Sequence, residues 1–135
     1  MTERFVLDAS VVITWAMRDE DHPLADRAFL QVQATSAIVP AIWWYEIRNI
    51  LILNERRNRI TPLDCAQFLH DLSRFRIEVE SPKDGTHVID LARRHKLSVY
   101  DSAYLALAVR ERLPLATLDK ALEAAALAEG IPLLQ

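Results

Sequence analysis

Four acidic residues of the chain lie where a carboxylate could take part in chemistry. Asp8 ends the short apolar run FVLD, and Asp119 follows another apolar run, PLATL. Asp101 stands near the head of the apolar segment YDSAYLALA, and Glu46 has mostly apolar neighbours three and four residues away. Burying a lone carboxylate costs free energy, and several carboxylates gathered in one place repel one another. A bound cation would offset both costs.

The residue types predict which cation such a cluster would take. Cys65 is the only cysteine, and the four histidines are scattered without metal-ligand spacing. An all-oxygen cluster selects hard ions, which here means Mg²⁺ or Mn²⁺. A rim of acidic residues around such an ion suits the attack of water on a phosphodiester. The residues alone therefore indicate a hard-metal site and phosphodiester hydrolysis.

A purely structural role is open for three of these acids. Asp8 and Asp119 could each cap the helix that follows. Asp101 stands three residues after Ser98, and this SVYD segment matches a capping-box pattern. Capping would explain any one of them in isolation, but it does not explain Glu46, which is expected inside a helix.

Short apolar strands alternate with helical patterns along the chain, which favours a parallel sheet with helices on both faces. Strands are predicted at residues 5–8, 37–40, 76–80, 114–118 and 131–134, and helices at 23–35, 41–59, 61–72, 84–96, 98–113 and 120–130. We predict one α/β domain over residues 1–135, with a central, mostly parallel, twisted sheet of four or five strands. In such sheets, sites form at the carboxyl ends of strands. Asp8 and Asp119 are therefore expected at one rim, with Glu46 and Asp101 pointing towards it from helices.

Composition excludes several other classes of protein. The 135 residues suffice for one domain, and the net charge of −3 argues against a surface that binds nucleic acid generally. Only two glycines occur, which excludes a P-loop and a dinucleotide-binding glycine turn. The N-terminal segment MTERFVLDAS is too acidic for a signal peptide, and the apolar run at 37–53 is interrupted by charges. A single cysteine fits a reducing cytoplasm.

Four segments in this order, FVLDAS, EIRN, YDSAYLALA and ATLDKAL, resemble the four acidic motifs of PIN-domain ribonucleases. Size and motif order are most similar to the VapC-type toxins of bacterial toxin–antitoxin pairs, and the resemblance runs from Phe5 to the final IPLL. It implies a single PIN domain with Mg²⁺- or Mn²⁺-dependent endoribonuclease activity on tRNA or ribosomal RNA. It also implies a cognate VapB-type antitoxin, a homodimer and no association with membranes.

The resemblance also assigns roles to individual residues. It makes four acids the catalytic and metal-binding quartet: Asp8, Glu46, Asp101 and Asp119. Asp8 and Asp101 would be the firmest ligands. Three further residues match supporting positions: Ser10, Asn49 and Thr117. The two hydroxyl residues are expected to hydrogen-bond carboxylates or a metal-bound water, and Asn49 is expected to orient Glu46.

Two other groups of side chains have both a structural and a functional interpretation. Trp43, Trp44 and Tyr45 are consecutive, so one helix cannot bury all three, and at least one should reach a surface that could bind a partner. The basic residues Arg93 and Arg94 end a helix, where cations complement its dipole, but they could also contact RNA phosphates. Lys120, which directly follows Asp119, is a further candidate for binding RNA.

Three rival functions can be weighed against the sequence. A phosphatase of the haloacid-dehalogenase type needs Asp-x-Asp after its first strand, but here the motif is Asp8-Ala9-Ser10. A receiver domain needs an acidic pair at that place, and the chain has one Asp. A non-catalytic PIN-fold module that binds RNA or protein would be expected to lack some of the four acids, and none is missing.

Overall fold

The structure is a computed structural model that describes residues 4–17, 22–83 and 85–135. Its strands are β1 (Phe5–Leu7), β2 (Ala37–Pro40), β3 (Ile77–Glu80) and β4 (Leu115–Ala116). Its helices are α1 (Ala9–Val12), continued by a 3₁₀ turn (Ile13–Ala16), then α2 (Pro23–Ala34), α3 (Ile42–Arg56), α4 (Pro62–Leu72), α5 (Gly85–His95), α6 (Val99–Glu111) and α7 (Lys120–Ala128).

The described strands form one parallel sheet in the order β3-β2-β1-β4. All residues of β1 and β2 are buried. Because successive side chains of a strand point to opposite faces, this burial means that both faces of the sheet are covered. The predicted α/β architecture, a parallel sheet between helices, is thus confirmed. No helix in the described part of the chain combines the length and apolar character needed to cross a bilayer.

The register of β1 and β4 decides where the candidate site lies. Val6 pairs with Leu115 and Leu7 pairs with Ala116, so the two strands end level with each other. The next residue of β1 is Asp8, whose backbone N–H still donates to the carbonyl of Ala116 at 2.9 Å. Because the strands are parallel and adjacent, their next residues emerge side by side at the carboxyl rim of the sheet.

The strands predicted at 5–8 and 76–80 each lose one residue in the structure, and two other predicted strands are shortened further. The predicted strand at 114–118 is only Leu115–Ala116, because the next backbone N–H groups bind side-chain hydroxyls instead of a neighbouring strand. The prediction of a strand at 131–134 was wrong: it is reduced to one parallel bridge between Leu115 and Leu133. Pro132 in this segment has no N–H to donate to a ladder. The sequence DEDHP at 19–23 predicts a break between elements, and its residues 19–21 lie outside the described residues, as does residue 84 of the helix predicted at 84–96.

Helix α6, which bears Asp101, packs deeply into the core. Its buried members include Tyr104, Leu105 and Leu107, which are at most 2% exposed and anchor the helix. The helix begins where the Ser98 hydroxyl accepts the backbone N–H of Asp101 at 3.1 Å. It ends at Arg112, whose φ of 55° is left-handed. The first turn of α6, which bears Asp101, is therefore fixed by the Ser98 cap before it and by the buried residues that follow it.

Helix α3 carries Glu46 and the three consecutive aromatic residues. Trp43, Ile47 and Leu51 lie four residues apart and are buried, so they form the face that packs on the core. Trp44 and Tyr45 are 44% and 66% exposed, which confirms that this helix cannot bury all three rings. The helix, predicted to reach residue 59, ends at Arg56, and Asn58 nearby has a left-handed φ of 58°.

Candidate active site

Asp8 is the most buried of the four acids, at 6% exposure. Its Oδ2 accepts the hydroxyl of Ser10 at 2.7 Å and the hydroxyl of Thr117 at 2.6 Å. Asp8 occupies the N-cap position of α1, but its side chain makes no capping hydrogen bond. The hydrogen-bond geometry therefore does not support the capping interpretation for Asp8, although the backbone N–H of Ser10 in the first turn of α1 lowers the pKa of its carboxyl. Its carboxylate is held by two hydroxyl donors, and one of them, Thr117, directly follows the neighbouring strand β4.

The two hydroxyls that hold Asp8 are themselves positioned by backbone groups. The Thr117 hydroxyl accepts the backbone N–H of Asp119 at 3.0 Å. The Ser10 hydroxyl accepts the backbone N–H of Leu118, also at 3.0 Å. Each hydroxyl thus accepts on one side and donates to Asp8 on the other, which polarises and orients it. This network joins the ends of β1 and β4, and it places Ser10 and Thr117 beside a carboxylate, where the sequence led us to expect them.

Glu46 is held by a partner that the sequence reading did not assign to it. The hydroxyl of Tyr104 donates to Oε1 of Glu46 at 2.5 Å, across 58 positions of the chain. Asn49, expected to orient Glu46, is exposed, and the described part of the chain gives it no hydrogen bond to that carboxylate. A signal was present in the sequence: a tyrosine within an apolar, buried helix needs a partner for its hydroxyl.

Asp101 and Asp119 lie at the first turns of α6 and α7. For Asp119 the capping interpretation is confirmed, because its Oδ1 accepts the backbone N–H of Leu122 at 3.1 Å. In α6 the hydroxyl of Ser98 caps the helix by accepting the backbone N–H of Asp101, and Ser98 also hydrogen-bonds the Asp101 side chain, which lowers the pKa of that carboxyl. A carboxylate has two oxygens, so a single capping bond leaves acceptor capacity on Asp119.

The pKa values show that the four carboxylates lie within electrostatic reach of one another. Burial raises the pKa of Asp8, and the charge of Asp119 raises it further, against the hydrogen bonds from Thr117 and Ser10. Burial is also the main cause that raises the pKa of Glu46; the hydrogen bond from Tyr104 opposes it, and the charges of Asp8 and Asp101 add smaller increases.

Asp101 completes this set of mutual interactions. Burial raises its pKa, and the charges of Asp119 and Asp8 add to the increase. The charges of Asp8, Asp101 and Asp119 therefore each act on at least one other acid of the four, and Glu46 responds to two of them. Such mutual repulsion disfavours the ionised forms and would be relieved by a bound cation.

Within the described residues, no lysine or arginine forms an ion pair with any of these four carboxylates. Nor do described His, Cys, Asp and Glu side chains form, as they stand, a group of three or more that could hold a metal. Mg²⁺ keeps several waters and takes one or two carboxylates directly, so a preassembled cage of three is not required. The all-oxygen donors and the uncompensated negative charge suit such an ion.

The basic residues proposed for RNA binding differ in their surroundings. Arg93 is largely exposed and lies 3.9 Å from Asp90, whereas Arg94 binds Glu129 at 2.7 Å. Both lie in the last turn of α5, where they complement the helix dipole. The Lys120 side chain is 92% exposed and follows Asp119 directly at the start of α7. Of the three, Lys120 is the one that adjoins a candidate site acid in the chain.

An apolar groove of about 630 Å³ borders the helices that carry Glu46 and Asp101. Its walls include Tyr45 and Tyr100, which directly precede those two acids and are 66% and 61% exposed. Ile89 of α5, 38% exposed, also lines it. Exposed large apolar side chains gathered in one groove mark a surface that binds another molecule.

Comparisons with known proteins agree on the family. Residues 5–128 match the PIN domain. Ribonuclease VapC3 of Pyrobaculum aerophilum is 31% identical over 122 residues, which are 88% of this chain and 92% of that protein.

Solved structures show the same fold. The crystal structure of PAE2754 from Pyrobaculum aerophilum superposes with a TM-score of 0.71 at 23% identity, covering 93% of this chain and 87% of that one. A toxin–antitoxin complex from Klebsiella pneumoniae gives 0.63 at 18% identity, covering 89% and 90%. FitAcB from Neisseria gonorrhoeae gives 0.65 at 16% identity, covering 97% and 96%. By sequence and by fold, this chain belongs to the PIN-domain family.

Proposed function

We propose that this protein is a Mg²⁺-dependent endoribonuclease and the toxin of a VapBC-type toxin–antitoxin pair. The observation that carries the proposal is the placement of four acids around the carboxyl rim of a parallel sheet, where Asp8, Glu46 and Asp101 each respond to the charge of at least one other acid of the four. The similarity to a protein named Ribonuclease VapC3 supports the same activity. Mn²⁺ is the expected substitute, because it shares the preference of Mg²⁺ for oxygen ligands.

The proposed metal ligands are Asp8 and Asp101, with Glu46 and Asp119 completing the pocket directly or through water. When bound, the ion would neutralise charge on the phosphate and make water a stronger nucleophile near neutral pH. The chain's own contribution is placement: Ser10 and Thr117 hold Asp8, and helix caps fix the first turns that bear Asp101 and Asp119.

The proposed reaction is direct hydrolysis without a covalent protein intermediate. Water oxygen forms a bond to phosphorus while the bond from phosphorus to one ribose oxygen breaks. A carboxylate of the cluster accepts the proton that the water loses, and the departing ribose oxygen takes a proton from solvent. Carboxylates with raised pKa values are better proton acceptors than ordinary ones.

The proposed substrate is tRNA or ribosomal RNA, whose cleavage would inhibit translation. Lys120 is proposed to contact a phosphate next to the cluster, since it is highly exposed and adjoins Asp119. Arg93 and Arg94 are further candidates, although Arg94 would have to leave Glu129. A transcriptome-wide map of new 5′ ends after induced expression tests the substrate class. Cuts concentrated in tRNA or ribosomal RNA support it, and cuts confined to messenger RNA contradict it.

The proposed partners are a second copy of this chain and a VapB-type antitoxin whose C-terminal segment covers the acidic cluster. The apolar groove supports assembly, because exposed Tyr45, Ile89 and Tyr100 would be shielded from water in a dimer. We place the protein in the cytoplasm, away from membranes. Size-exclusion chromatography with light scattering should show a dimer that Ile89→Arg weakens. A wild-type monomer, or a variant that dimerises equally well, would contradict this use of the groove.

Cleavage of RNA by the purified protein tests the proposed activity. Wild type should cut tRNA or ribosomal RNA in Mg²⁺ and stop in excess chelator, whereas Asp101→Asn should be inactive in both. Asp26→Asn is the matched control, since Asp26 is an exposed acid in the first turn of another helix. Asp101→Asn protein that cuts at the wild-type rate would refute the site assignment. Wild type that neither cuts RNA nor binds Mg²⁺ or Mn²⁺ would favour a non-catalytic PIN-fold binding module.

A further inference from the structure

The hydroxyl of Tyr104 lies where three elements that carry candidate site acids meet. It stands one turn after Asp101 on α6 and donates to Glu46 of α3 at 2.5 Å. The backbone N–H of Ala9, the residue after Asp8, also acts on this hydroxyl. One phenol oxygen thus links the first turn of α1, the middle of α3 and the start of α6.

The burial of Tyr104 restricts the partners that its hydroxyl can bind. Tyr104 is 0% exposed, so water cannot replace the carboxylate as its partner. The hydroxyl must be the donor of this bond, because a carboxylate oxygen can only accept. The single O–H of Tyr104 is directed at Oε1 of Glu46, and the second oxygen of that carboxylate remains available.

We propose that Tyr104 is a positioning residue for the acidic cluster, holding Glu46 through one oxygen so that the other faces the bound metal or its water. This inference rests on the proposed function, because it assigns a task within the same site. Tyr104 does not touch substrate and is not a catalytic residue. Groups that orient metal ligands by hydrogen bonds typically change metal affinity or activity by about 10- to 100-fold when removed.

Packing alone does not explain the hydroxyl. The ring fills the core beside Leu105 and Leu107, and phenylalanine would provide the same apolar contacts without a buried oxygen. A polar atom in such a position costs free energy unless it is hydrogen-bonded. The remaining structural explanation is that the bond simply ties α3 to α6. That explanation predicts an effect on stability and none on the metal.

The variant Tyr104→Phe separates these two explanations because it removes only the hydroxyl. Ser102→Ala is the matched control: Ser102 is 0% exposed on the same helix, and its hydroxyl donates to the carbonyl of Val88 at 2.7 Å, on the side of α5. Mn²⁺ affinity is measured by calorimetry without RNA, and kcat and KM are measured with RNA. Tyr104→Phe should weaken Mn²⁺ binding and lower kcat, and the two losses together should amount to about 10- to 100-fold. KM should be nearly unchanged. Ser102→Ala should change neither.

A double-mutant cycle with Glu46→Gln tests whether Tyr104 acts through Glu46. If it does, Tyr104→Phe should change Mn²⁺ affinity much less in the Glu46→Gln background than in wild type. Equal effects in both backgrounds would overturn the proposal, and so would wild-type Mn²⁺ affinity and kcat in a folded Tyr104→Phe protein. These results are distinct from failure of the proposed function, in which wild type itself would neither bind Mn²⁺ nor cut RNA.

Discussion

Replacement of Thr117 by valine should destabilise the protein in a manner that depends on pH. Thr117 is 1% exposed, and its hydroxyl both donates to Asp8 at 2.6 Å and accepts the N–H of Asp119 at 3.0 Å. Valine has nearly the same shape but can make neither bond. A hydrogen bond to a charged acceptor contributes ~1.5–3 kcal/mol and a neutral one ~1 kcal/mol. The free energy of unfolding at pH 8 should therefore fall by ~2–4 kcal/mol.

The pH dependence follows from the pKa of Asp8. Burial already raises that pKa above the ordinary 3.8, and the bond from Thr117 opposes the increase. Removing the bond raises the folded-state pKa further. A carboxyl group whose folded-state pKa is raised favours folding most below its unfolded pKa, and this contribution is lost as pH rises through the folded value. Near pH 4, where Asp8 becomes protonated and both bonds of Thr117 are between neutral groups, the loss caused by Thr117→Val should therefore shrink towards ~2 kcal/mol.

Urea unfolding between pH 4 and pH 8, in chelator, measures this difference. Thr14→Val is the control, because Thr14 is 7% exposed and its hydroxyl donates to the uncharged carbonyl of Val11 at 2.8 Å. Its effect should be the same at both pH values. A Thr117→Val loss that does not change with pH, or that is larger at pH 4, would refute the assignment of an ionised Asp8 as the acceptor.

Three further predictions concern the same charges and one distant ion pair. Mg²⁺ should raise Tm more at pH 8 than at pH 5.5, because carboxyls with raised pKa values must lose protons to bind it; an equal shift would argue against binding at this cluster. Asp101→Asn should unfold in chelator at the same or a higher temperature, since it removes repulsion by Asp119 and Asp8; a clear fall in Tm would contradict this. Hydrogen bonds from His95 and Arg94 lower the pKa of Glu129. Glu129→Gln should therefore lower the free energy of unfolding by about 1–2 kcal/mol at pH 7, and by less as pH falls below 4.5. Urea unfolding in which this loss does not change with pH would refute the prediction.

The sequence predicted the elements whose signals are local. In the helix predicted at 61–72, the segment TPLD puts Pro62 at the first helical position and Asp64 at the third, which is a local signal for a helix start, and the structure has a complete capping box there. The alternation of strands and helices predicted the parallel sheet. The strand predicted at 131–134 forms only one bridge to the neighbouring strand. The prediction was wrong because neither the apolar residues of this segment nor Pro132 reveal how many ladder hydrogen bonds the neighbouring strand will accept.

The candidate site was predictable as a set of residues but only partly as an arrangement. Ser10 lies two residues from Asp8, so its bond is local, whereas the bond from Thr117 spans 109 positions and depends on β4 lying beside β1. The resemblance to PIN-domain ribonucleases implied that Asn49 orients Glu46, but the structure supplies Tyr104 as the hydrogen-bond partner. Helical spacing favours a neighbour on the same helix, and only tertiary packing brings α6 against α3.

Cleavage of RNA in ¹⁸O-enriched water tests the central claim most directly, because that claim is hydrolysis by water at the acidic cluster. Mass spectrometry of the products should show one ¹⁸O atom in the terminal phosphate of each cleaved bond and no 2′,3′-cyclic phosphate. Asp101→Asn protein prepared in the same way should give no labelled product. Unlabelled cyclic-phosphate ends would contradict attack by water, and labelled product from Asp101→Asn would contradict the assignment of the reaction to this cluster.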